Sequence, residues 1–157
     1  MATLTTVYGA NATLTKNTVP KTMVHSKQQY GKLRILYDSY DIVSGDDFGT
    51  SGLIKLFNIP NGAFIVDGRI ACTRTGTTGV FEVGWAADAG AVETADPDGF
   101  FTSQDSGAAA IATRMLDTVP GFAKTFAGEC EVQVDWTTAT NGGTAETLEL
   151  MIYIATE

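Results

Sequence analysis

Few side chains in this sequence are able to do acid–base, nucleophilic or metal chemistry. The single histidine, His25, lies in a polar stretch with Lys21, Thr22, Ser26, Lys27 and Gln28, which offers no packed partner to orient an imidazole as a general base. Cys72 and Cys130 each fall on the apolar side of a predicted strand, where a thiol is a small core side chain rather than a nucleophile; a disulfide between them is the alternative. Neither belongs to a C-x-x-C pair, and two separate thiols with one distant imidazole are too few to hold zinc. Asp46-Asp47 and Asp96-Pro97-Asp98 sit in predicted turns, without the spaced oxygen ligands and closing glutamate of a calcium loop. Gly76-Thr77-Thr78-Gly79 lacks the lysine of a phosphate cradle and joins two strands, so it reads as a hairpin turn. Tyr37, Tyr40, Trp85 and Trp136 are the candidates for a sugar-binding platform. Both tryptophans alternate with the inward face, which leaves Tyr40 and Tyr153 as surface aromatics. No catalytic residue, metal ligand or cofactor is expected, and the chain does not read as an enzyme.

The elements that would position these residues are strands. In Glu129 to Thr137, Cys130, Val132, Val134 and Trp136 alternate with Glu131, Gln133 and Asp135, the pattern of a half-buried strand. Glu146 to Ala155 repeats it, with Leu148, Leu150, Ile152 and Ile154 inward and Met151 and Tyr153 outward, the latter two marking a contact surface. Further strands are predicted at 32–42, 53–59, 63–74 and 80–86. In 63–74, Phe64, Val66, Ile70 and Cys72 share a face; in 80–86, Phe81, Val83 and Trp85 do. Pro60-Asn61-Gly62 and Asn141-Gly142-Gly143 supply turn chemistry between them. Asp96 to Gly99 reads as a turn, the Ala-rich spacing of Ile111, Met115 and Leu116 predicts a short helix over 105–116, and a strand is expected near 121–126 with Phe122 and Phe126 inward. The expected fold is all-β, a jelly-roll-like β-sandwich with one short helix in a long connection.

The chain's 157 residues suffice for one domain with its own core, and 44% apolar against 18% charged residues excludes disorder. The formal net charge of −8 argues against nucleic acid or an anionic membrane as the main partner and favours a protein. No run approaches the roughly 20 apolar residues of a membrane-spanning helix. The opening Met1 to Val7 is polar and alternating, so export through a signal peptide is not expected. Charge is distributed unevenly. Residues 1–37 hold Lys16, Lys21, Lys27, Lys32 and Arg34 and no acid, whereas the remainder sets five bases against eighteen acids, a net −13. Residues 1–31 read as an extended basic N-terminal arm and 32–157 as the β-sandwich body. The arm either lies back on its own acidic body or reaches an acidic surface on a neighbouring subunit.

The opening Met1 to Thr13, the strand Gly31 to Asp38, the turn Ile59-Pro60-Asn61-Gly62-Ala63 and the closing pair of strands from Phe126 to Ala155 resemble virion structural proteins of tailed bacteriophages, in particular capsid decoration (cement) proteins. The resemblance implies a jelly-roll-like body without enzyme activity and a homo-oligomer, with a trimer favoured. It implies a place on the capsid exterior after synthesis in the host cytoplasm, where the protein bridges subunits of the major capsid protein. Lys16, Lys21 and Lys27 are then the expected capsid-contacting residues. Alternatives are another virion component (neck, tail or fibre base) and a carbohydrate-binding module on the virion surface.

Overall fold

The computed structural model describes residues 3–8, 33–43, 47–73, 79–105, 110–138 and 146–156. Among them are nine strands, β1 Thr3–Tyr8, β2 Leu33–Ile42, β3 Asp47–Ile59, β4 Phe64–Cys72, β5 Val80–Trp85, β6 Asp96–Asp105, β7 Ile111–Arg114, β8 Cys130–Thr138 and β9 Glu146–Ala155. They form two sheets. Sheet A runs β1-β3-β8-β5-β6 and sheet B runs β2-β9-β4-β7. All neighbours are antiparallel except β1, which adds to the edge of β3 in parallel.

The pairings are nested. β2 pairs with β9, β3 with β8, β4 with β7 and β5 with β6, so the first of the eight strands after β1 meets the last, the second the last but one, and so inward. Alternation of side chains then places one face of each of these eight strands in the space between the sheets. Leu148, Leu150, Ile152 and Ile154 of β9 face Cys130, Val132, Val134 and Trp136 of β8, and all eight are fully buried. Aromatic rings fill both ends of the sandwich. At one end Trp136 stacks on Phe48 at 5.5 Å and meets Phe81 edge-on at 5.0 Å; at the other Trp85 packs on Phe100 and Phe126, each at 5.0 Å, and its indole N–H donates to the Thr94 carbonyl at 2.9 Å.

Five features depart from expectation. The predicted helix over 105–116 is absent from its described residues: 111–114 are strand β7, pairing with β4 at the sheet edge. Residues 106–109 lie outside the described residues. The backbone hydrogen bonds that β4 offers outweigh a weak local helix preference, and the pattern in β7 has period two, Ile111 and Thr113 half-buried and Ala112 and Arg114 exposed. Asp96 to Gly99 opens β6 rather than forming a turn, Pro97 being tolerated near the start of an edge strand. Residues 121–126 are turns with one bridge, Thr125 to Phe64, although Phe126 is buried and Phe122 packs on the core as expected. β3 starts at Asp47, six residues before the expected Leu53. Finally, β4 has a bulge between Ile65 and Asp67. The extra residue inverts the alternation, so Ile65 is buried with Ile70 and Cys72 while Phe64 and Val66 turn outward.

Candidate interaction surface

Cys72 and Cys130 lie on strands of different sheets, both buried and not bonded to each other. Burial pushes the Cys130 thiol up to about 11, with the carboxylates of Glu93 and Asp88 adding to the effect, so it is protonated at neutral pH and a poor nucleophile. Trp85 and Trp136 are core residues. Tyr40, expected at the surface, is half-buried and meets Phe48 edge-on at 6.2 Å, because it shares the inward face of β2 with Leu36 and Ile42. Asp46, His25, Gly76 to Thr78 and the expected capsid-contacting Lys16, Lys21 and Lys27 lie outside the described residues. Among the described residues no group of three or more His, Cys, Asp or Glu is placed to hold a metal ion, and no helix is long and apolar enough to cross a membrane.

The two outer faces differ in chemistry. On sheet A, Glu82 of β5 sits directly opposite Asp135 of β8, and Glu131 pairs with Lys55 at 2.8 Å. Like charges in register are unfavourable. Partial burial raises the pKa of Glu82, with the charges of Asp98 and Asp135 adding to it, and burial raises Asp135 as well. Asp96 is raised by burial first and then by a hydrogen bond with Asp98. Among the described residues this face is acidic.

On sheet B three rows of apolar side chains run across the strands. Leu33, Ala155 and Phe64 form the first, Ile35 and Tyr153 with Val66 at the bulge the second, Tyr37 and Met151 the third, which continues into Arg69 and Arg114. Leu33, Ile35, Tyr37, Phe64 and Val66 are 52%, 54%, 41%, 39% and 39% exposed. Contiguous exposure of this kind makes the face a candidate interaction site, whereas single exposed residues such as Val92 carry no such meaning. The polar border is held in place: the Tyr37 hydroxyl donates to Glu149 Oε1 at 2.9 Å, the Thr147 hydroxyl to Asp41 at 2.9 Å, and Arg114 pairs with Asp67. The hydrogen bond to Glu149 is the main cause that raises the Tyr37 pKa. A shallow groove of about 130 Å³ lined by Tyr37, Arg69, Ala71, Glu149, Leu150 and Met151 crosses this border. It falls below the roughly 300 Å³ at which small-molecule pockets begin. The face is built for a flat contact.

Met151 and Tyr153 were legible as members of this surface from the outward side of their strand. Leu33, Ile35, Phe64 and Val66 were not, since β2 mixes apolar with charged residues on both faces, Arg34 and Asp38 on one and Asp41 on the other, and the β4 bulge has no marker in a period-two reading.

The fold is shared with solved structures. The chain is similar to one in the capsid of Ralstonia phage GP4, at 16% identity and a TM-score of 0.65 over 87% of this chain and 92% of that one. It is similar also to one in the cyanophage Pam1 capsid asymmetric unit, at 13% identity and a TM-score of 0.63 over 90% of this chain and 98% of that one. No protein-family model and no curated protein matches the sequence.

Proposed function

We propose that this chain is a non-enzymatic structural protein of a bacteriophage particle, and that it binds the outside of the capsid and cements neighbouring subunits of the major capsid protein. The observation that carries this reading is the shared fold with chains of two phage capsids, which extends over nearly the whole length of all three. The strand order supports a jelly-roll body: without β1, sheets 3-8-5-6 and 2-9-4-7 are what a ribbon of four nested antiparallel pairs gives when rolled into a sandwich. Viral capsid domains use that architecture widely. Charge supports the docking mode, because Lys16, Lys21 and Lys27 belong to a segment free of acid and suit acidic patches on a shell. Several weak contacts of this kind on one lattice act together, and binding to the assembled shell alone stabilises it by mass action.

Cosedimentation with capsids assembled from the major capsid protein of the same phage tests this. Full-length protein is expected to saturate the particles at high copy number and raise their melting temperature, and the triple variant Lys16→Glu, Lys21→Glu, Lys27→Glu to bind at least about tenfold more weakly. Charge reversal is a cleaner test than deleting residues 1–30, since deletion also removes β1 from the edge of β3. Absence of binding, or only a few copies per particle, removes the decoration role, the latter in favour of a neck or tail position. Unchanged binding of the triple variant removes the lysines from the contact.

A further inference from the structure

We infer that the outer face of sheet B is the surface on which a second copy of this chain docks, face against face, in an isologous contact. Two observations select that occupant. The first is charge. At a net −8 two copies repel one another over most approaches. Among the described residues on the outer side of sheet A, Glu82, Glu131, Asp135 and the adjacent Asp98 outnumber the base Lys55, so bringing two such faces together sets acid against acid. Among the described residues on the outer side of sheet B, Arg69 and Arg114 nearly balance Asp41, Asp67 and Glu149, and the charges lie at one side of an apolar field. A face of that composition tolerates its own copy.

The second observation is area. The exposures of Leu33, Ile35, Tyr37, Phe64 and Val66 leave on the order of 500 Å² of apolar side chain in water on one copy. Two copies meeting there remove about 1,000 Å² before any border residue is counted, which reaches the lower bound for a specific interface. Sheets with inner faces of this kind stack with their strands nearly aligned. Under a two-fold axis the same patch serves both partners.

The inference concerns the free protein in solution and stands or falls apart from the capsid role. Sedimentation velocity of the full chain over about 1–100 μM, a range suited to interfaces of this size, is expected to show a concentration-dependent dimer. Ile35→Glu and, independently, Val66→Glu each place a carboxylate in the apolar field and are expected to weaken that dimer at least about tenfold. Gln133→Glu on the outer side of sheet A is the control and leaves it unchanged, with circular dichroism confirming that all three are folded. A monomer at every concentration overturns the inference, as does a trimer or other oligomer whose mass neither substitution alters. A monomer whose Ile35→Glu variant no longer cosediments with capsids also overturns it and assigns the face to the shell.

Discussion

Glu93 is a buried carboxylate whose oxygens are fully engaged. It accepts from the Ala127 backbone N–H at 2.7 Å and from Lys124 Nζ at 2.9 Å, and these bonds lower its pKa, the Ala127 bond most. Lys124 lies in turn over the rings of Trp85, at 5.5 Å, and Phe126, at 5.2 Å. One carboxylate thus ties the loop before β6 to the turns before β8. Glu93→Ala removes the acceptor of the Ala127 N–H and the partner of a half-buried ammonium, with an expected loss of about 1–3 kcal/mol in urea denaturation. Glu93→Gln keeps an acceptor for Ala127 and is expected to lose about half as much. Equal losses for the two variants remove the hydrogen bond from this account. Sequence offered no sign of the lock, since Glu93 stands between Val92 and Thr94 in a stretch with no periodicity and its partners are about 30 residues away. The inert thiols and core tryptophans were legible because a single alternating strand decides the side of each.

At the scale of elements, the bulge in β4 has the largest consequence. Ile65 is fully buried and Val66 is not, the reverse of a strict alternation from Phe64 to Cys72. Ile65→Ala is expected to cost about 2–5 kcal/mol, and Val66→Ala in dilute solution less than about 0.5 kcal/mol. The opposite ranking rejects the bulge. Strands with one apolar face, such as β8 and β9, were read at nearly their true ends, because period-two patterning and turn residues agree there. β6 and β7 were missed for a different reason. β6 opens on the turn-forming Asp96-Pro97-Asp98-Gly99 and β7 is four residues beside an Ala-rich run, so neither shows a clear period-two pattern, and both pair with edges that β5 and β4 present. Local sequence carries no record of an edge contributed by a distant segment.

For the molecule as a whole, two sets of carboxylates oppose each other as pH changes. Glu82, Asp96 and Asp135 have folded pKa values raised above their unfolded ones, so their contribution to stability is complete below the ordinary carboxylate range and is lost as pH rises through the folded values. Glu93 and Asp88 are lowered; theirs is present above that range and lost as pH falls through the folded values. The net charge of −8 adds repulsion at neutral pH that fades towards the sequence pI near 4.5. Stability should therefore peak on the acid side of neutrality, with a higher urea midpoint at about pH 5.5 than at pH 8 and a smaller gap in 0.5 M salt. A midpoint that climbs steadily to pH 8 contradicts the assignment of the acidic outer face of sheet A.

The position of β9 between β2 and β4 also sets an order of events in the cell. β2 pairs along its whole length with a strand made more than 100 residues later, Leu33 with Ala155 and Ile42 with Glu146. At 5–20 residues per second the ribosome needs roughly 5–25 s to supply that partner. Throughout that interval sheet B lacks the strand that joins β2 to β4, and β2, which carries apolar residues on both sides, has no strand partner. Completion of sheet B thus waits for β9, and long-range β pairing of this kind is slow and exposes unpaired strand edges in the interval.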